Sequence, residues 1–453
     1  MSPSAAELAA WDHAHLWHPF TQMRDRLSEE PLIIAAGEGN YLIDIDGRHY
    51  LDGVSSLWCN VHGHRRRELD EALKAQTDHL AHSTLLGLAT VPSIELAKRL
   101  IDITPRNLTR VFYSDAGATA VEIALKMAFQ YWYLRGDKRR TQFASLVEAY
   151  HGDTIGAVSV GYSESFHRTF KPLLFDCHKL NPPHVYRWQR GLSEEEALRA
   201  AVGEAKSLLE RHGRELAALI IEPLMQGAAG MWSQPLGYVR ALRELTREHG
   251  VLLICDEVAT GFGRTARMFA VDHEDVEPDL MCVGKGLSGG YLPLAATFAT
   301  EQIFEAFLAP YEDLKTFFHG HTYTGNALAC AVALANLDIF EKEQVVARTA
   351  ERAAEMQRLL KQHVEPLEHV GEVRQWGLMV GIELVRDRPT KASFETRLEV
   401  PQRIVAEARR SGAIIRPLGN VMILMPPLSI TPAELETLCG VTCMSIQTVT
   451  RSL

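Results

Sequence analysis

Three short stretches hold residue types whose spacing permits chemistry. In VLLICDEVATGFGR (251–264), five apolar residues run directly into the pair Asp256 and Glu257. A continuous apolar run of that length reads as a strand buried on both faces, as in a parallel sheet covered by helices. Carboxylates at its end fall in the crevice beyond the strand's carboxyl edge, where open α/β sheets bind ligands. Taken alone, Asp256 is better explained as the cap of the following turn. CVGKGLSGG (282–290) sets Lys285 between two glycines just after an apolar strand. Most lysines are solvated surface groups, but a buried one loses proton affinity and becomes a usable Schiff-base nucleophile. SDAGATAVEIALKMA (114–128) places Gly117 and Ala118 at the start of a long helix. Free N–H groups and the helix dipole favour a phosphate there, although a plain tight turn has the same appearance. The stretch lacks GxGxxG and a Walker lysine, so neither NAD nor ATP is implied.

Asp256 and Lys285 are 285 − 256 = 29 positions apart. That leaves room for a helix and a return strand, so both side chains can point into one crevice. A helix end for phosphate, a strand-end aspartate and a Gly-flanked lysine are the parts that a pyridoxal phosphate site requires. The carboxylate holds the pyridine nitrogen protonated, since an opposing charge at contact distance raises such a pKa by about 1 to 3. On this reading Asp256 is buried because its partner is a ring cation.

The elements that must position these residues alternate between strand and helix. Short strands with Asp-Gly turns fill GEGNYLIDIDGRHYLDG, giving an N-terminal arm and small-domain segment over residues 1–67. From 68 to 327 a helix in ELDEALKAQTDHLAH and another in PSIELAKRLIDI precede the strand RVFYSD and the helix ATAVEIALKMAFQYWYL. Strands at ASLVEAY, LAALIIEPL, VLLICDEV and LMCVGK follow. This is the βα alternation of a mainly parallel sheet, hence an α/β large domain. Residues 328–453 contain the helix-rich LACAVALANLDIFEKEQ and then EVRQWGLMVGIELV, AIIRPLG and VMILMPP, which read as a smaller α+β domain.

At 453 residues the chain is long enough for two domains. Its 46% hydrophobic and 23% charged residues are ordinary for a globular protein, and a net charge of −10 gives no footprint for nucleic acid. Every apolar run is broken well short of the ~18 residues of a membrane span. The start MSPSAAELAAWDHAHLWHPF lacks a basic region followed by an apolar core, so a cytoplasmic location is expected. The seven cysteines form no CxxC pair, as expected of reduced thiols, and the pairs His62/His64 and His319/His321 lack further ligands, so no metal is expected.

The strings YHGDTIGAVSVG, IIEPLMQGAAGM, DEVATGFGRTARMF, PDLMCVGKGLSGGYLP and HGHTYTGN resemble class III aminotransferases of the type I pyridoxal-phosphate fold. The flanking LWHPFTQM, SSLWCNVHGH, KMAFQYWY and IIRPLG narrow the resemblance to the branch that aminates 8-amino-7-oxononanoate in biotin synthesis. The similarity runs along nearly the whole chain. It implies a homodimer with shared active sites, in which Lys285 is the Schiff-base and proton-shuttle residue and Asp256 the partner of the pyridine nitrogen. Gly117 and Ala118 would bind phosphate, with Thr322 and its neighbour His321 contributed across the dimer. Tyr150 would stack on the cofactor ring, Val258 would pack on its other face, Gly320 would line the substrate pocket, and Arg416 would take the keto substrate's carboxylate by a bidentate contact. Read without the family, Tyr150 is an ordinary core tyrosine and Arg416 a surface ion-pair partner.

Two departures concern the amino donor. Many members have HPY where this chain has Phe20, and SSWW where it has Leu57 followed by Trp58. A lost hydroxyl against a donor substrate weakens selection for it. S-adenosylmethionine is the donor expected by default, and lysine is the rival, because HPFTQM and NVHGH also resemble a lysine-using branch. Another class III enzyme, such as an ω-amino acid aminotransferase or an aminomutase, is the next alternative. A non-catalytic cofactor-sensing regulator would carry a basic helix-turn-helix extension, which the N-terminal strings do not resemble.

Overall fold

The computed structural model describes residues 3–451. Near the N-terminus, β1 (Ile34–Glu38), β2 (Tyr41–Asp44) and β3 (His49–Asp52) form an antiparallel meander, with Gly47 at φ +80° in the β2–β3 turn. A large sheet then collects β4 (Leu108–Ser114), β5 (Gln142–Leu146), β6 (His178–Leu180) and β7 (Leu216–Ile221). A two-stranded ribbon, β8 (Met225–Gln226) with β9 (Trp232–Ser233), interrupts the succession before β10 (Leu252–Asp256), β11 (Leu280–Val283) and β12 (Ala295–Thr300). The seven strands lie in the order β4-β12-β11-β10-β7-β5-β6. β12 runs antiparallel to both β11 and β4, while β11, β10, β7, β5 and β6 pair in parallel. A mainly parallel α/β sheet was the expectation, and the alternation of helices and strands delivers it.

Strand β10 shows how the sequence sets this architecture. All five of its residues are buried, with helices on both faces. Leu253 and Cys255 join the core on one side, while Leu252 and Ile254 pack with Ala120, Val121 and Ala124 of the helix Gly117–Leu134 on the other. Because side chains alternate along a strand, Asp256 faces the same side as Ile254 and looks toward the start of that helix.

The remaining strands are β13 (Val370–Trp376), β14 (Met379–Leu384), β15 (Ala413–Ile414), β16 (Arg416–Leu418) and β17 (Val421–Leu424). They form an antiparallel sheet in the order β13-β14-β17-β16, while β15 pairs in parallel with β3. Residues near the N-terminus are therefore built into the same layer as the C-terminal region. The helices Val345–His363 and Pro432–Thr450 complete that layer; the second begins with Thr431 capping Glu434 N–H and Pro432 in the first turn, a strong helix start. Where the small sheet packs on the β8–β9 ribbon lies a cluster rich in methionine: Met225, Met231, Met379 and Met425 pack with Trp58, Val421 and Ile423.

Candidate active site

Five strand ends supply the site. Gly117 follows β4, Tyr150 and His151 follow β5, Glu222 follows β7, Asp256 ends β10, and Lys285 lies just past β11. Asp256 pairs with Cys282 in register, so Lys285 emerges on the adjacent strand beside the aspartate. The cavity at these ends has a volume of about 400 Å³, within the range of small-molecule sites, and is lined by Trp58, Gly117, Ala118, Tyr150, Asp256 and Lys285, among others.

Asp256 is 5% exposed; its Oδ2 lies 2.7 Å from His151 Nδ1 and its Oδ1 accepts the Val258 N–H at 3.0 Å. Asp256 thus caps the turn that follows it, as the isolated stretch suggested, and meets His151 as well; Glu257 holds the chain further along. The Glu257 carboxylate accepts the Thr260 hydroxyl and, at 2.8 Å, the Val271 N–H; burial raises its pKa to about 7. Lys285 has φ +40°, a left-handed conformation that a non-glycine residue holds only when its surroundings enforce it. Its Nζ lies 4.9 Å from the centre of the Trp58 ring. Burial lowers its ammonium below the ordinary lysine value, against the opposing pull of Asp256 and Glu222.

Glu222 is buried, and its pKa is pushed up to about 7, chiefly by that burial; nearby His151 opposes the rise and Asp256 adds to it. Its two oxygens accept the N–H groups of Tyr150, at 3.1 Å, and Gly227, at 3.0 Å, so one carboxylate ties two cavity walls together. The Tyr150 hydroxyl donates to Asp153 at 2.7 Å, its ring stacks against His167 with centroids 6.1 Å apart, and burial raises its pKa. Arg264, 2% exposed, donates to Ser55 Oγ at 2.8 Å, Asn60 O at 2.7 Å and the Pro426 carbonyl. It secures the segment in which Ser55, Ser56 and Trp58 all take positive φ.

Gly117 and Ala118 open the helix Gly117–Leu134, and close approach dictates the glycines around them. A Cβ on Gly117 would come within 2.5 Å of Val258 Cγ1, and one on Gly152, whose φ is +116°, within 2.3 Å of Ala118 Cβ. The N-cap residue Ala116 has no polar side chain to accept the first-turn N–H groups, and Thr119 Oγ1 takes only the Ala116 N–H, so those groups are left for a ligand. A cleared helix end, a buried strand-end carboxylate and a lysine of lowered pKa in one cavity fit pyridoxal phosphate in each of its three binding requirements.

Among the described residues, those expected at the site divide into two groups. Trp58, Gly117, Ala118, Tyr150, Asp256, Val258 and Lys285 line the one cavity. Arg416, half-buried on β16, lies near enough to Tyr150 to feel its charge, and burial lowers its pKa. Phe20 is exposed, its ring edge-on to Phe166 at 6.0 Å, and Leu57 is also exposed. Gly320 and Thr322 face outward; the Thr322 carbonyl lies 2.8 Å from His82 Nε2, and His321 Nδ1 is 3.0 Å from Asp115 Oδ2. Sequence reasoning missed His151, Asp153, Glu222 and Arg264. Glu222 ends the apolar run LAALII just as Asp256 ends VLLIC, so the same signal was available for it.

A model of the class-III aminotransferase family matches residues 23–443. The adenosylmethionine-8-amino-7-oxononanoate aminotransferase of Nitratidesulfovibrio vulgaris is 56% identical over 96% of this chain and 80% of its own length. That of Geobacter sulfurreducens is 50% identical over 98% of both. The crystal structure of the enzyme of the same name from Methanocaldococcus jannaschii superposes with a TM-score of 0.93 at 49% identity, covering 98% of this chain and 99% of that one. An (S)-enantioselective omega-transaminase from Thermomicrobium roseum superposes at 0.95 with 38% identity, over 99% and 100%. The match spans the N-terminal meander, the large sheet and the C-terminal antiparallel sheet alike, and the chain belongs to the class-III aminotransferases.

Proposed function

We propose that this transaminase converts 8-amino-7-oxononanoate to 7,8-diaminononanoate, in biotin synthesis, using pyridoxal 5′-phosphate and S-adenosylmethionine as amino donor. The observation that carries the reading is the placement of Asp256, Lys285 and the open helix end at Gly117 in one cavity, in a chain half-identical to relatives of that name. Bound pyridoxal phosphate supplies an electron sink for the carbon that loses or gains the amino group.

The chain's own residues do the rest. The first-turn N–H groups at Gly117 and Ala118 bind the phosphate, and Thr322 and His321 of a second copy complete its cradle in a homodimer. Asp256, oriented by His151 and the Val258 N–H, offers a carboxylate to the ring nitrogen. Tyr150 and Val258, both in the cavity lining, would hold the cofactor ring between them. Lys285, whose lowered pKa leaves more of it neutral near pH 7, takes up and returns the proton at its Nζ. Arg416 holds the substrate carboxylate by two parallel N–H donations. Phe20, Leu57, Trp58 and Gly320 bound the space where the two substrates alternate. A cytoplasmic location accords with these soluble substrates.

A second reading keeps the reaction and takes lysine as donor. What favours it is Phe20, an exposed ring without the hydroxyl that many family members carry at that position. The cofactor-loaded enzyme mixed with one donor at a time separates the two. Loss of the cofactor's absorbance band with S-adenosylmethionine alone supports the first reading, and loss with lysine alone supports the second. Loss with neither overturns the donor assignment.

A further inference from the structure

One transverse row of residues crosses the small-domain sheet from edge to edge. Arg374 on β13 pairs with Gly381 on β14, Gly381 with Ile423 on β17, and Ile423 with Arg416 on β16. Residues directly opposite one another across strands project to the same face. Three strand spacings therefore separate two arginines at opposite edges of one surface, on the order of 14 Å at ~4.8 Å each.

That surface lies against the wall of the cavity. Arg374, 3% exposed, donates from Nε to the carbonyls of Gly230 at 3.1 Å and Met231 at 3.0 Å, and from Nη2 to the Gly230 carbonyl at 2.7 Å. Both carbonyls belong to the segment after Glu222 that carries Gly227 and the cavity-lining Ala228. The guanidinium is itself held by Glu372 at 2.6 Å and Glu383 at 2.7 Å, and Glu383 also accepts from Arg187 of the large domain at 2.8 Å. At the next place in the row, a Cβ on Gly381 would come within 2.8 Å of Met231 Cβ and 3.0 Å of the Gly230 carbonyl, so the sheet lies directly on this segment. Ile423 then packs into the methionine cluster with Trp58, whose ring meets Lys285 Nζ. The far end of the row is Arg416.

We infer that Arg374 is a positioning residue that determines chain-length specificity: by pinning one end of this row to the cavity wall, it fixes how far Arg416 stands from Lys285. The inference rests on the reading of Arg416 as the carboxylate site. A keto acid of the right length then places its carbonyl carbon at Lys285 while its carboxylate rests on Arg416. A homologue one methylene shorter or longer satisfies only one end. Lysine at position 374 keeps the charge but loses the planar fork that spans two carbonyls and two carboxylates.

The test is kcat/KM for 8-amino-7-oxononanoate and its homologues one methylene shorter and longer, in Arg374→Met, Arg374→Lys and Gly381→Ala. It is paired with calorimetric Kd values for unreactive ω-amino carboxylates of the same lengths. A methylene of misfit in a fixed site costs roughly tenfold or more. Arg374→Met and Gly381→Ala are expected to bring that discrimination to within about threefold of unity, in kcat/KM and in Kd alike. Arg374→Lys is expected to fall between these and the parent. Gly381→Ala leaves every charge in place and decides the matter if Arg374→Met fails to fold. Equal losses at every length, tracking only a fall in Tm, would make Arg374 a structural residue and overturn the inference. Arg416→Ala serves as the separate control. If it spares carboxylated substrates relative to carboxylate-free analogues, the reading of Arg416 fails; if it penalises them while the Arg374 and Gly381 variants keep the length profile, only the length inference fails.

Discussion

His151 Nδ1 and Asp256 Oδ2 meet at 2.7 Å in the floor of the cavity, with both side chains almost wholly removed from solvent. A buried carboxylate needs its hydrogen bonds, and only the Val258 N–H would remain without the imidazole. Losing a hydrogen bond to a charged group costs about 1.5 to 3 kcal/mol. His151→Ala is therefore expected to weaken cofactor retention by roughly ten- to a hundredfold, measured as the cofactor left after dialysis. Undiminished retention would show that Asp256 is oriented by other means.

Lys285→Ala is expected to lower turnover by at least about 10²- to 10⁴-fold, the range supplied by a positioned proton-transfer group, while the protein still folds. Borohydride reduction of the cofactor-loaded parent should label the peptide containing residues 282–290 and leave the variant unlabelled. Label on another lysine would remove Lys285 from its role.

Glu222 gives a prediction about pH. Its folded pKa of about 7 stands above the ordinary value of 4.5, so between these limits the folded chain binds more protons than the unfolded one. The contribution of this group to the stability of the cofactor-free protein then falls as pH rises from about 4.5 to 7, by up to about 3 kcal/mol, while burial of His62 and His184, which lowers their pKa values to about 4 and 3, acts in the opposite direction. Glu257, with the same direction and value, adds to the slope. Thermal melts across that window should show the Tm of the parent falling relative to that of Glu222→Gln as pH rises. An unchanged slope would mean that Glu222 ionises normally in the fold.

Gly117→Ala should act through shape alone. The added methyl would fall 2.5 Å from Val258 Cγ1, so Val258 must move and the wall above the helix end closes inward. The expected result is weaker binding of cofactor and of inorganic phosphate, with the secondary structure retained by circular dichroism. Normal phosphate affinity would place the anion elsewhere.

Much of this site was legible because it sits at strand ends. Asp256 and Lys285 betray themselves by apolar runs that stop at a charged residue, and the parallel sheet brings successive run ends to one edge. Glu222 carries the same mark. Its partners did not advertise themselves, since His151 meets Asp256 across 105 positions and no periodicity links the two. Strand β12 also went unread, because the small residues of AATFAT lack the bulky branched side chains by which strands are recognised. Arg374 looks in sequence like any charged residue of an exposed strand; only the pairing of four strands reveals what it holds.

Met225, Met231, Met379 and Met425 are fully buried beneath the small sheet, beside Trp58. Unbranched thioether chains adapt to a shifting gap more readily than branched ones. Peroxide oxidises such sulfurs only when it reaches them, turning each into a polar sulfoxide. The rate at which these four take up oxygen, read by mass spectrometry, is thus a clock for how often this buried cluster opens, and substrates bound in the adjoining cavity should slow it.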